Sequence, residues 1–431
     1  MRFSVTDYAD KIWNGAAEDS IASPGLSGTG VLEVADGVGW YPGFGNVMVF
    51  RTGGEVVLFD TGNPFDAQQL HSSVREWARE PVTTAVFSHG HIDHVSGLRP
   101  FDAEPGSGVM VVAHERIGER FDRYALTNGY NAIVNQRQFQ APGLEWPTHY
   151  RRPDVTYRQS MALKRGDLTF ELFHVKGETD DATVGWIPGL RLLCPGDMFI
   201  WASPNCGNPQ KVQRYPREWA DALRRMAGLG AEIMLPSHGA PVFGAERIRQ
   251  ALTETAHWLE SLVTQTLEGL NSGARLDELI QGVRPPAHLA DRPYLRAVYD
   301  DPEFVVRNIW RQYAGWYDGN PANLKPAPEA EVARALAELA GGATALSDAA
   351  LRHRDLGQLR LAGHLAELAV LAAPSGERQH AARAEVYQAR ADAEQSLMAR
   401  GLFTWVATES RSKAATAARL GETETGDDSA N

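Results

Sequence analysis

The stretch Thr83-Thr84-Ala85-Val86-Phe87-Ser88-His89-Gly90-His91-Ile92-Asp93-His94 governs the reading of the whole chain. Its first five residues are apolar or β-branched and run into a Ser-His-Gly turn, the pattern of a buried strand that stops abruptly. Four ligand-type side chains, His89, His91, Asp93 and His94, then fall within six positions. A loop leaving a buried strand can turn all of them toward one point. Neutral imidazoles with a carboxylate suit Zn2+ or another borderline divalent ion. Each histidine taken singly reads as structural; together, at this spacing, they read as a metal site.

Outward from this loop, residues 28–245 alternate short apolar runs with glycine-rich turns. VLEVADGVGWYP (31–42), NVMVFRT (46–52), EVVLFDTG (55–62), VMVVAHE (109–115), LTFELFHVKG (168–177), ATVGWIP (182–188), LRLLCPGDMF (190–199) and AEIMLPSHG (231–239) all read as strands. DAQQLHSSVREWARE (66–80) and REWADALRRMAGLG (217–230) read as helices between them. The pattern predicts an α/β fold of layered sheet and helix with its functional loops at strand ends. Residues 246–418 change character. A long helical run (246–273) leads through a Pro-rich stretch and an aromatic-dense one. Ala-, Leu-, Glu- and Arg-rich segments follow, similar to tetratricopeptide-type hairpins. Four parts are therefore expected: an N-terminal extension (1–27), a catalytic domain (28–245), an all-α domain (246–418) and a disordered acidic tail (419–431).

Composition narrows the function classes. At 431 residues the chain is expected to hold more than one core. Its formal net charge of −12, with no basic run, speaks against a nucleic-acid or acidic-membrane surface. Two cysteines, Cys194 and Cys206, exclude a disulfide scaffold and a four-thiolate zinc site. No basic-then-apolar leader and no bilayer-length apolar run are visible, so a soluble cytoplasmic protein is expected. His114 and His174 read as structural histidines, Cys194 as a buried small hydrophobe. Asp180 and Asp181 read either as support for nearby groups or as solvated turn residues.

The motif His89-x-His91-x-Asp93-His94 resembles the signature of the metallo-β-lactamase fold. LFDTG with Asp60, GET with Glu178, PGD with Asp197 and PSHG with His238 follow the order of that family. The resemblance implies an αββα sandwich with two metal ions, expected to be zinc or another divalent metal, at the edge of the sheets. It assigns His89, His91 and Glu178 to one ion and Asp93, His94 and His238 to the other. Asp197 would bridge them, and Asp60 would orient the ligand loop from behind. A carboxylate at 178, where most of the superfamily carries histidine, resembles the alkyl sulfatase branch. So does Arg307-x-x-Trp310-x-x-Tyr313-x-Gly315-Trp316-Tyr317-Asp318-Gly319-Asn320-Pro321, which looks like that branch's dimerisation domain.

These resemblances imply a homodimer that hydrolyses an organic sulfate ester, alkyl or aryl, with hydroxide made available by the two metals. Asp93 and Asp197 are the expected catalytic residues; Asn131, Arg137, Asn205, Arg214 and Arg307 are the expected substrate contacts. The chain departs from the branch at Pro204-Asn205 and Phe304, where histidines are usual, and is expected to be without the sterol-carrier-like domain of longer members. Hydrolysis of a lactone, thioester or phosphoester therefore stays open. An iron-dependent oxygenase is a further alternative; it is disfavoured because His91 stands where diiron redox members carry an acid.

Overall fold

The computed structural model describes residues 4–16, 26 and 28–426, with side chains as far as residue 420. Thirteen strands form two sheets among the described residues. The first holds β1 (Leu32–Ala35), β2 (Val38–Tyr41), β3 (Val47–Arg51), β4 (Val56–Phe59), β5 (Val82–Val86), β6 (Met110–His114) and β7 (Val155–Tyr157), in that spatial order. Its first four strands are antiparallel, and the pairs from β4 to β7 are parallel. The second holds β8 (Ser160–Arg165), β9 (Leu168–Val175), β10 (Ala182–Ile187), β11 (Leu192–Cys194), β12 (Ile233–Met234) and β13 (Val242–Phe243), again in sequence order. Only its β11–β12 pair is parallel.

The helices of the sheet-bearing part are α1 (Val5–Trp13), α2 (Ala67–Trp77), α3 (Ile92–Val95), α4 (Arg99–Asp102), α5 (Ile117–Leu126), α7 (Pro216–Ala227), α8 (Ala245–Asn271), α9 (Leu276–Gly282) and α10 (Pro302–Ala314), while α6 (Asn128–Phe139) groups with the later helices. The remainder are α11 (Pro321–Leu324), α12 (Glu329–Ala340), α13 (Ala343–Asp355), α14 (Leu359–Ala372), α15 (Glu377–Asp392) and α16 (Leu397–Gly426).

Side-chain alternation explains the layering. On β3, Met48 and Phe50 join Phe59, Val86, Phe170, Leu172, Leu192 and Cys194 in the core between the sheets. Val47 and Val49 point the other way, onto Leu70 and Val74 of α2 and Ile117 and Phe121 of α5. The outer face of the second sheet, with Phe173, Val184, Trp186 and Leu193, packs on Trp219 and Leu223 of α7 and Leu252 and Leu259 of α8. The result is the four-layer αββα sandwich.

The chain divides into two compact units, residues 1–128 with 147–316, and residues 129–146 with 317–431. This differs from a boundary at 245. Helices α8 and α10 lie in the first unit because Leu259, Leu262, Val305 and Ile309 share the core of α7 and the second sheet. The composition change at 246 marks the end of the strands, not the end of the core. In the second unit, α6 approaches α16 closely. Gln140 Nε2 donates to the Gly401 carbonyl at 2.7 Å, and a Cβ at Gly401 would lie 2.4 Å from the Gln138 carbonyl oxygen. The expected tail begins inside α16, which continues to Gly426; residues 427–431 lie outside the described residues, as do 1–3, 17–25 and 27 of the expected N-terminal extension.

Candidate metal centre

Five strands bring polar side chains to one edge of the sandwich at or just beyond their C-terminal ends. β4 ends at Asp60, β5 at the 88–94 loop, β9 at Glu178, β11 at Asp197 and β12 at His238. The short α3 turns Asp93 and His94 back toward the sheets. Two groups of donor atoms result. His89, His91, Glu178 and Asp197 form one; Asp93, His94 and His238 form the other.

Asp197 reaches both. Its Oδ2 lies 3.6 Å from His89 Nε2, 3.6 Å from His94 Nε2 and 3.3 Å from His238 Nε2. Asp93 Oδ2 is 3.4 Å from His94 Nε2 and 3.5 Å from His238 Nε2. Donors bound tetrahedrally at ~2.0–2.1 Å stand about 3.3 Å apart, so these spacings fit an ion. His89 Nε2 and His91 Nδ1, at 2.8 Å, are closer and must part slightly to share one. His94 Nε2 and Asp197 Oδ1 are buried with no hydrogen-bond partner, which is costly unless a cation takes their lone pairs.

The electrostatics are those of ligands pressed together. Burial, and then the charge of His94, lower the pKa of His89 to about 4. Burial would raise Asp93, but His94 and His238 outweigh it and hold that carboxyl at about 2. Burial likewise opposes ionisation of Asp197, yet His238, His94 and His89 keep it well below the carboxylate range. Glu178 goes the other way: burial pushes it up to about 8 against the pull of Arg214.

Asp60 stands behind the site, fully buried, with a left-handed backbone (φ 62°). It accepts from the Ser88 N–H at 2.6 Å and Ser88 Oγ at 2.8 Å. It also accepts from Ser237 Oγ at 2.9 Å and meets His94 Nδ1 at 3.0 Å. One carboxylate thus ties together the segments carrying His89, His94 and His238.

The expected substrate contacts scatter. Asn205 Nδ2 and Arg214 Nη1 both donate to Glu178 Oε1, at 2.5 and 2.6 Å, and Arg214 also donates to the Asn205 carbonyl. Arg214 is 3% exposed, so its charge is committed to Glu178. Arg307 is exposed on α10. Asn131 and Arg137 lie on α6, in residues that group with the second unit. Sequence reading passed over Lys211, in the loop between Asn205 and Arg214. Burial and Arg214 hold its ammonium down at about 8, while Glu178 and Asp93 pull the other way. Its nearness in sequence to Arg214 was the only signal. Asp181, read with its neighbour Asp180 as either support or solvent-facing, is 1% exposed and accepts from the Gly90 N–H.

The family model of the metallo-beta-lactamase superfamily matches residues 40–238, and that of alkyl sulfatase dimerisation matches residues 275–413. The chain unites these two family domains. A linear primary-alkylsulfatase of Pseudomonas sp. is 29% identical over 67% of this chain and 59% of its own length. An (R)-specific secondary-alkylsulfatase of Pseudomonas sp. is 25% identical over 88% of this chain and 62% of its own. An alkyl/aryl-sulfatase of Saccharomyces cerevisiae is 24% identical over 81% of this chain and 59% of its own. The chain therefore spans about three fifths of the length of these relatives. A solved structure of a stereoselective inverting sec-alkylsulfatase from Pseudomonas sp. superposes with a TM-score of 0.80 at 24% identity, covering 89% of this chain and 65% of that one. This likeness shows the shared fold of metallo-β-lactamase sandwich followed by helices. No helix among the described residues is long and apolar enough to cross a membrane.

Proposed function

We propose that the chain is a dinuclear metal-dependent hydrolase of organic sulfate esters, acting as a homodimer. The observation that carries the reading is Asp197, whose one carboxylate lies within 3.6 Å of imidazoles belonging to both donor groups. His89, His91 and Glu178 would hold one ion, Asp93, His94 and His238 the other, with Asp197 shared. The mixed imidazole and carboxylate set, without thiolate, suits zinc. Bound there, two such ions supply a hydroxide nucleophile near neutral pH and Lewis acidity for the leaving oxygen.

The residues do the rest. Asp93, Glu178 and Asp197 contribute three negative charges against four from two divalent ions, so the centre keeps a net attraction for an anionic ester. Asp93 and Asp197 orient the donors on which the nucleophile depends, which is why they are assigned as catalytic. Lys211, on the loop between Asn205 and Arg214 and within electrostatic reach of Glu178 and Asp93, is assigned to the anionic group of the substrate. Arg214 and Asn205 fix Glu178 instead.

The curated relatives, named as alkylsulfatases, support sulfate as the ester. A second reading, hydrolysis of another ester such as a phosphoester or lactone, is favoured by the commitment of Arg214 to Glu178, which removes a guanidinium fork from the substrate side. Elemental analysis is expected to find about two zinc ions per chain. Sulfate should be released from aryl sulfates faster than from simple alkyl sulfates, because no imidazole stands at Pro204-Asn205 to protonate a poor leaving group. Clear lactone or phosphoester turnover with no sulfate released from either class would select the second reading. One iron and no zinc would overturn both.

A further inference from the structure

Two separate carboxylates brace the donor groups. Asp60 ties His94 to Ser88 and Ser237, the neighbour of His238. Among the described residues Asp60 makes no hydrogen bond to His91 or Glu178, and Glu178 is held by Asn205 and Arg214. The segments of His91 and Glu178 are joined on the other side of the centre by Asp181, three residues past Glu178. Asp181 Oδ2 accepts from the Gly90 N–H, in the middle of His89-Gly90-His91, at 2.9 Å. Its Oδ1 accepts from Arg120 Nε on α5 at 2.8 Å, and Arg120 Nη2 reaches Asp180 Oδ1 at 2.5 Å. Arg116, the residue just before α5, adds Nη1 to Asp180 at 3.3 Å. Asp181 and Arg120 are 1% and 4% exposed, so neither is held loosely by solvent. The turn is pressed onto this brace: a Cβ at Gly90 would lie 2.8 Å from Arg120 Cδ and 3.2 Å from Asp181 Oδ2.

We infer that Asp181, braced by Arg120, is a positioning residue that sets the affinity of the His89–His91–Glu178 metal group far more than that of the Asp93–His94–His238 group. The inference rests on the two-metal reading above. Its physical basis is geometric: His89, His91 and Glu178 come from two segments 87 or more residues apart in sequence, roughly, and Asp181 is the side chain that fixes their spacing through a backbone N–H. Loss of the carboxylate frees Gly90 to turn, and the two imidazoles on either side of it move with it. Ser88 Oγ, which Asp60 holds, also meets His89 Nδ1 at 3.0 Å, so the displacement falls mainly on His91, while Asp60 keeps its hold on His94 and Ser237.

The test is metal binding by the full chain, measured by competition with a chromophoric chelator, with circular dichroism to report folding. The parent should bind two zinc ions. Asp181→Asn should weaken one of them about 10–100-fold and leave the other within threefold. Arg120→Lys, which keeps the charge but not the fork, should fall between. Placing Asp181→Asn in a His238→Ala background, where only the His89 group remains, should abolish tight binding; in a His91→Ala background it should change the remaining affinity little. Equal weakening of both ions in a folded variant, or no weakening of either, would overturn the inference. A parent chain that does not bind two ions would instead defeat the reading beneath it. If Asp181→Asn does not fold, Arg120→Lys in the same two backgrounds is read by the same criteria.

Discussion

Asp60 carries more of the centre than any ligand does, since four hydrogen-bonding groups from three segments converge on it. Asp60→Ala strands those buried donors together and should cost about 3–5 kcal/mol, with metal loss following, measured by urea unfolding of the metal-stripped chain. A second residue-scale expectation concerns pH. His114 and His174 stack with ring centroids 3.7 Å apart and planes 10° from parallel. His174 Nδ1 meets the Ala182 carbonyl, and burial, then His114, lowers its pKa from the ordinary 6.5 to about 4. Below pH 6.5 the unfolded chain takes a proton there that the folded one refuses, so stability present at neutral pH is lost between 6.5 and 4. His174→Phe should flatten that part of the stability profile by about 1–2 kcal/mol, allowing for the ring's partial contact with solvent. An unchanged slope would show that the pair does not titrate this way. The residues of the two donor groups were legible in the sequence as candidates because their segments follow apolar strands. The Gly90–Asp181 link was not, because a backbone donor leaves no mark on composition and its acceptor lies 91 residues away. Asn205 and Arg214 read from sequence as substrate contacts, but a buried Glu178 takes their donors, and that competition is visible only in three dimensions.

At the scale of elements, strands were the easier part to read. Val, Phe and Leu runs that stop at Gly or Pro leave little ambiguity, and β4, β5, β10 and β11 stand where those runs are. Two-residue strands such as β12 and β13 carry no periodicity of their own and depend on their neighbours for pairing. Helix membership was harder. The aliphatic face of α8 has a clear helical repeat, but the repeat does not say which core receives it. The structure places Leu252, Leu259 and Leu262 against Trp219 and Leu223, beneath the sheet that supplies Glu178 and Asp197. Leu259→Ala should therefore destabilise the metal-bearing unit by about 2–5 kcal/mol, and zinc should be released at correspondingly lower urea. Zinc release at unchanged urea, alongside loosening of the C-terminal helices alone, would mean that α8 belongs with them. The placement of α6 beside α16 was beyond sequence reading altogether: the Gln140–Gly401 hydrogen bond spans 261 residues, with no pattern to announce it.

For the whole molecule the open surface of the second unit is the telling feature. Helix α12 buries only Ala333 and Ala337. Its larger apolar side chains point outward, with Val332 43%, Leu336 40% and Leu339 85% exposed. Positions 332, 336 and 339 follow helical spacing and so form one stripe. A stripe of this kind on a chain of net charge −12 is poorly explained by solubility, and the dimerisation family model covers it at residues 275–413. A two-fold interface places the same stripe on both partners, so a single substitution acts twice. Leu336→Glu combined with Leu339→Glu puts two like charges per chain into such a contact, where apolar area was buried. The parent is expected to scatter light as a dimer at micromolar concentration. The double variant should become a monomer with its helix content and zinc content kept, because α12 contributes neither ligands nor sandwich core. A dimer that survives the double substitution would show that the interface lies elsewhere on the helical unit. A parent that is already a monomer would remove the dimer from the proposed function while leaving the metal centre untouched.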